Sequence, residues 1–67
     1  MSEPRYPNVR VQLVGQDGNA FAILGRTKAA MRRAGVSAKE QEKFVAEATA
    51  GDYNHLLRVV MKWVDTV

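Results

Sequence analysis

A cluster of cationic side chains gives this chain its clearest capacity for binding chemistry. Residues 20–35 contain no acidic residue, and their four cations are Arg26, Lys28, Arg32 and Arg33. Guanidinium and ammonium groups pair with phosphates and carboxylates, so the cluster favours an acidic partner, either a protein or a nucleic acid. Acids and bases nearly balance in the rest of the chain, so this segment accounts for the net charge of +3.

A strip of small residues runs beside these cations if the segment is helical. At about 100° per residue, Ala22, Gly25 and Ala29 form the strip, with Arg26 and Arg33 along one side and Lys28 and Arg32 along the other. Small side chains let another backbone approach, and the flanking cations can hold phosphates without reading base sequence. In the alternative interpretation, Gly25 and Ala29 pack against another helix and the cations only keep the surface hydrated. Few exposed aromatic residues are expected for base stacking, which weighs against single-stranded nucleic acid.

The turn Gly15-Gln16-Asp17-Gly18-Asn19 is a second candidate for binding. Backbone N–H groups of Gly15, Gly18 and Asn19, just before a helix, can hold a small anion such as a nucleotide. The turn lacks the lysine and the spacing of the common glycine-rich phosphate motifs, and Asp17 would repel a phosphate. A structural turn followed by an Asn19 helix cap is therefore the favoured interpretation.

His55 is the only histidine, and it invites an acid–base interpretation with Asp52 and Tyr53 nearby. Asp52 is better explained as a helix cap, and no serine or cysteine lies close in sequence to act as a nucleophile. One histidine without any cysteine also makes a zinc site improbable. We expect no catalytic, cofactor-binding or metal-ligating residue, and hence a non-enzymatic protein.

The elements that position these residues follow from hydrophobic periodicity. Residues 1–8 contain two prolines and predict an extended arm, in which Tyr6 can serve as an anchor. The alternation over residues 9–14 predicts a half-buried strand. Asn19 caps the first helix, and Gly35 ends it. A hairpin with residues 20–24 as its return strand is the alternative for the start of that helix.

Two more helices complete the predicted fold. Ser37 and Glu40 form a capping box at the start of the second helix, in which each side chain bonds the other residue's backbone N–H. This helix ends near Gly51. Asp52 caps a third helix that runs to about residue 65 and has a broad apolar arc. Trp63 and Met61 lie in that arc, and core packing is the favoured role for both over a ligand pocket.

The predicted architecture is one α+β domain, residues 1–67, in the order β-α-α-α. One strand cannot form a sheet. Unless the hairpin alternative supplies a partner, we expect the strand to pair antiparallel with that of a second copy in a homo-oligomer, with a homodimer favoured over a higher oligomer. A small cysteine-free domain buries only about 60% of its unfolded surface, which also favours association. No apolar run is long enough to span a membrane, and the lack of cysteine fits the cytoplasm.

Several short segments also carry a resemblance: Asp17-Gly18-Asn19-Ala20-Phe21, Ile23-Leu24-Gly25, Ala34-Gly35-Val36, Gly51-Asp52-Tyr53, His55-Leu56-Leu57 and Trp63-Val64. With these, the chain resembles a group of short uncharacterised proteins from bacterial and phage genomes over residues 9–64. The resemblance implies a shared fold and no functional residues, because the group has no established activity. A phage setting implies a small partner-binding or ligand-binding protein.

Together these observations predict a small binding module that presents the basic face to an acidic protein or to nucleic acid. The alternative is a protein that sequesters a small anionic ligand, such as a nucleotide, at a subunit interface.

Overall fold

Two strands and three helices make up the described part of the chain. The computed structural model describes residues 3–13, 15 and 18–67. Its elements are strand β1 (Tyr6–Val11), helix α1 (Ala20–Arg33), helix α2 (Ala38–Ala48), helix α3 (Tyr53–Trp63) and strand β2 (Val64–Thr66). The α+β class and the three helices are confirmed, whereas β2 was not predicted. None of the helices in the described ranges has the length and apolarity needed to cross a membrane.

The N-terminal strand pairs within its own chain, so the predicted pairing between subunits is wrong. β1 runs parallel to β2, with Tyr6 opposite Val64 and Val11 opposite Thr66. The N–H of Val67 donates to the Val11 carbonyl oxygen at 3.0 Å, which extends the pairing beyond β2. The three helices supply the long crossover that parallel strands require. An unpaired strand is therefore no longer an argument for a homodimer. The homodimer itself stays a prediction.

The second strand was not predicted because it is very short. Val64, Thr66 and Val67 are β-branched, which favours extended backbone, but three residues are too few to show alternation. Residues 64 and 65 were therefore assigned to the third helix, which in fact ends at Trp63. β1 also differs from the predicted range of 9–14: it begins at Tyr6, inside the predicted arm, and ends at Val11. Val14 lies outside the described residues.

Local signals at the ends of α1 act as predicted. The Asn19 side chain accepts a hydrogen bond from the N–H of Phe21 at 2.8 Å, so the helix begins at residue 20 and the hairpin alternative is wrong. Gly35 has a positive φ of 88°, a conformation that glycine adopts without strain. Its N–H donates to the Arg32 carbonyl oxygen and that of Val36 to the Met31 carbonyl oxygen, which together close the C-terminal turn.

The capping box of α2 forms only in part. The Ser37 hydroxyl oxygen accepts from the N–H of Glu40 at 3.2 Å, as predicted. The Glu40 carboxylate instead accepts a hydrogen bond from the Tyr6 hydroxyl at 2.8 Å and pairs with Arg5 at 2.7 Å. Glu40 thus bonds to Tyr6 and Arg5 of the N-terminal segment in place of the Ser37 backbone N–H that the capping box predicts. α2 also ends at Ala48, before the predicted Gly51.

Trp63 lies where the N-terminal strand and the last two helices meet. Its ring stacks on Tyr6 with centroids 6.1 Å apart and meets Phe44 edge-on at 5.8 Å. Its indole N–H donates to Glu47 Oε1 at 2.9 Å, so the polar atom of this buried residue is satisfied. Trp63 is therefore a core residue, as predicted. Met61 is 51% exposed, so its predicted core role is wrong.

Two glutamates of α2 tie that helix to its neighbours through charged hydrogen bonds. The Tyr6 hydroxyl holds the pKa of Glu40 below its usual range, with help from Arg5. The Trp63 indole N–H, followed by the Lys62 ammonium group, does the same for the pKa of Glu47. Both carboxylates thus favour the folded state when they are ionised.

These lowered pKa values predict a loss of stability in acid. A carboxyl group whose pKa is lower in the folded protein stabilises it above the unfolded pKa, about 4.3 for glutamate, and loses that effect as the pH falls through the folded value. We expect the free energy of unfolding to decline below about pH 4. Glu47→Gln should flatten the decline, whereas Glu42→Gln, at an exposed position on the same helix, should not. Urea denaturation measured at a series of pH values tests this, and identical profiles for the two variants would contradict it.

Candidate polyanion-binding face

Helix α1 divides into a buried side and a charged side. The residues that it buries recur at helical spacing and are Ile23, Thr27, Ala30 and Met31. The Thr27 hydroxyl is satisfied inside the core, because it donates to the Ile23 carbonyl oxygen at 2.8 Å. Packing of this side fixes the rotation of the helix, and it turns Lys28, Arg32 and Arg33 into solvent. We call the set Gly25, Arg26, Lys28, Ala29, Arg32 and Arg33 the basic face.

The cations of the basic face have no acidic partners among the described residues. The ion pairs there join Arg5 and Lys43 to Glu40, Arg10 to Asp65, and Lys62 to Glu47. None of these ion pairs between described residues involves α1. Like charges on one helix repel each other, and no acidic side chain among the described residues offsets that repulsion. The arrangement thus suits an anion supplied from outside.

Arg26 differs from the other three cations in its surroundings. Its side chain is partly buried, and its Nη1 atom is buried without a hydrogen-bond partner in the described part of the chain. A buried donor without a partner costs about 1–3 kcal/mol. This cost distinguishes Arg26 from the three exposed cations of α1.

The small-residue strip is open at Gly25. A Cβ atom added at Gly25 would meet nothing within 4 Å, so no helix of the described chain packs against it. Ala29 is half-buried. A shallow groove of about 260 Å³ lies over the strip, lined by Gly25, Lys28, Ala29, Arg32 and Gln41. Gln41 was not identified from sequence, because its place beside α1 depends on how α2 packs.

Two exposed aromatic residues lie where α1 begins. Phe21 is 84% exposed and Tyr53 is 45% exposed, so the few exposed aromatic residues of the described chain include two that lie close to the basic face. Both line a mainly apolar concavity of about 250 Å³, together with Leu24 and Leu56. The Tyr53 hydroxyl donates to the Gly18 carbonyl oxygen at 2.6 Å, which fixes the position of its ring.

The glycine-rich turn shows its structural role more clearly than a binding role. Gly15 has a positive φ of 78°, the Gly18 carbonyl oxygen is engaged by Tyr53, and the Asn19 side chain caps α1. The rest of the predicted turn, Gln16 and Asp17, lies outside the described residues. The cap is confirmed, and an anion site formed by Gly15, Gly18 and Asn19 stays a prediction.

His55 packs at the junction between α2 and α3. Its backbone N–H donates to Asp52 Oδ1 at 2.9 Å, which confirms the predicted cap, and its Nε2 lies 2.8 Å from the Glu47 carbonyl oxygen. Its ring also sits against Gly51, where an added Cβ would lie 2.7 Å from Cγ. The described residues contain no group of three or more possible metal ligands. These contacts give His55 a packing and capping role.

Another concavity, of about 600 Å³, has mixed charge. Its lining residues are Glu3, Pro4, Arg5, Glu47, Arg58, Met61, Lys62 and Trp63. Glu47 is paired with Lys62, and Arg5 is paired with Glu40 while its guanidinium also lies 4.9 Å from the centroid of the Trp63 ring. Its lining mixes two acids with three bases, so its charge is less one-sided than that of the basic face.

Comparison of the chain with family models, with curated proteins and with solved structures gives no match. The resemblance to short bacterial and phage proteins therefore stays a prediction. The argument for the basic face as a binding site therefore depends on the geometry and charge of α1 alone.

Proposed function

We propose that the protein is a non-enzymatic binding module whose basic face holds a polyanionic partner. The observation that supports this proposal is the contrast in pairing. Arg5, Arg10, Lys43 and Lys62 form ion pairs with acids of the same chain, whereas the four cations of α1 form none among the described residues. Lys39 and Arg58 are unpaired there too, but each is the single unpaired cation of its helix, so only α1 gathers several. A helix that concentrates unneutralised charge on one side provides a polyanion with several contacts at once.

Two features of the basic face lower stability and fit a binding role. Glycine within a helix costs about 1 kcal/mol relative to alanine, yet the space above Gly25 would accept a side chain. Arg26 keeps a buried donor without a partner in the described chain. Costs of this kind are expected at functional sites, where a close approach or a charge matters more than local stability.

The proposed module requires no second copy, because the cations and the groove belong to one chain. The homodimer and the cytoplasmic location both stay predictions.

A matched pair of arginine variants tests this function. Binding of labelled duplex DNA, oligothymidylate and polyglutamate is measured by fluorescence anisotropy at several salt concentrations. For wild-type protein, we expect at least one polyanion to bind with an affinity that falls steeply as salt rises. Arg32→Gln should weaken binding and reduce the slope of log affinity against log salt by about 1 for a nucleic acid.

The control is Arg58→Gln on α3, which removes the same charge from an exposed position outside the basic face. It should leave both the affinity and the slope close to those of the wild-type protein. If none of the three polyanions binds, or if both variants weaken binding equally, the proposed function is wrong.

A further inference from the structure

Phe21, one of the two exposed aromatic residues, lies in line with the basic face and indicates which polyanion would bind. Phe21, Gly25, Lys28 and Arg32 follow one another at steps of four, three and four residues, so they share one stripe along α1. We propose that the partner is a single-stranded nucleic acid, with a base stacked on Phe21 and Tyr53 and the adjoining phosphates on Lys28 and Arg32. This inference rests on the proposed function and names its substrate class.

The exposure of Phe21 needs an explanation beyond packing. The same helix buries Ile23 and Met31 almost completely, yet the largest apolar side chain in its first turn is 84% exposed. A nucleic acid base that stacks on an aromatic ring contributes about 1–3 kcal/mol to binding. Stacking would remove that ring from water without any sequence requirement, because every base has a flat face.

The neighbouring contacts form a prepared platform for a base. Tyr53 is held by its hydrogen bond to the Gly18 carbonyl oxygen, and half of its surface remains in water. Leu24 and Leu56 line the same concavity and supply apolar surface beside the two rings. Because the Tyr53 ring is already held in place, less conformational freedom is lost on binding.

The length of the stripe suits a short stretch of strand. Eleven residues separate Phe21 from Arg32, which corresponds to about 16 Å along the helix axis. A strand whose bases leave the stack is more extended than the roughly 3.4 Å per nucleotide of a stacked strand, so the stripe accommodates fewer than about five nucleotides. Gly25 lies between the aromatic pair and the cations and leaves room for the sugar–phosphate backbone.

Other occupants fit this surface less well. A duplex keeps its bases paired and stacked, so it can contact the cations but not the aromatic pair. An acidic protein satisfies the cations while its carboxylates gain nothing from an apolar concavity. A second copy that docks this face on itself brings four cations against four like charges, which opposes a symmetric dimer through α1.

Substitution of Phe21 separates this inference from the proposed function. Binding of oligothymidylate, oligouridylate and duplex DNA is compared for wild type, Phe21→Ala and Phe21→Trp; the ribose and deoxyribose strands show whether the 2′-hydroxyl matters. We expect wild-type protein to prefer the single strands to the duplex. Phe21→Ala should weaken single-strand binding by about 5- to 150-fold and leave duplex binding unchanged, and Phe21→Trp should retain single-strand binding.

The control is Met61→Ala, which truncates another exposed apolar residue and should change neither affinity. Equal binding of single strand and duplex with no effect of Phe21→Ala would overturn the inference and leave the proposed function intact. Binding of polyglutamate but of neither nucleic acid would also overturn the inference and leave the proposed function intact. Loss of self-association in Phe21→Ala, measured by sedimentation, without a change in oligonucleotide affinity would assign Phe21 to a dimer and overturn the inference. Absence of binding to every polyanion would overturn both proposals.

Discussion

Trp63→Ala is expected to remove most of the stability of the folded protein. Truncation of a buried tryptophan typically lowers the free energy of unfolding by about 3–5 kcal/mol, and a domain of this size has only about 3–10 kcal/mol in total. Trp63 is 4% exposed, stacks on Tyr6 and meets Phe44 edge-on. Its loss would also remove the indole N–H from Glu47. Urea denaturation followed by circular dichroism measures the effect.

Two variants show whether the loss of stability comes from the Trp63 ring or from any truncation on α3. Met61→Ala lies on the same helix at an exposed position, and it should change stability by less than about 0.5 kcal/mol. Trp63→Phe keeps an aromatic ring and loses the bond to Glu47, so it should fall between the other two. Equal destabilisation by Trp63→Ala and Met61→Ala would show that the account of the core is wrong.

Reversal of two charges on the basic face is expected to abolish polyanion binding. Lys28→Glu/Arg32→Glu converts two attractive contacts into two repulsive ones along the groove that also contains Gln41. At a cost of about 1.4 kcal/mol per factor of ten, we expect affinity to fall by at least about 100-fold at low salt. Both side chains are exposed, so thermal denaturation should show an intact fold.

The matched control is Lys39→Glu/Arg58→Glu, which changes the net charge by the same amount at exposed positions on α2 and α3. It should retain most of the affinity of the wild-type protein at physiological salt. If the control loses as much affinity as the variant on α1, binding depends on net charge alone and the basic face has no special role.

Local signals in the sequence were enough to predict where the three helices begin and where α1 ends. Asn19, Ser37 and Asp52 each accept a hydrogen bond from the first turn of a helix, and Gly35 supplies the positive φ that ends α1. These residues act on neighbours within four positions, so their effect does not depend on the rest of the fold.

The pairing of β1 could not be predicted in the same way. β2 has only three residues, and its partners lie more than fifty positions away along the chain, as for Arg10 and Asp65. Val64 was assigned to the third helix because it continued that helix's apolar arc, and Thr66 lay beyond the predicted end of the helix. Parallel pairing at such separation depends on how three helices pack between the strands.

The candidate site was predicted in part. The four cations and Gly25 could be placed on one face, because helical periodicity alone fixes which residues of α1 point the same way. Gln41 and Tyr53 come from other helices, so only the packing of α2 and α3 against α1 brings them to the face. The exposure of Phe21 could not be predicted, because it depends on which neighbours cover that side of α1.

Heteronuclear NMR of the labelled protein, titrated with oligothymidylate, tests the central claim most directly, because it locates the bound strand residue by residue. The account predicts that backbone amide signals of residues 21–33 and of Tyr53 shift together as the oligonucleotide is added, while those of β1 and β2 stay in place. Shifts confined to the mixed-charge concavity around Arg5, Arg58 and Met61, or no shifts at all, would contradict the account.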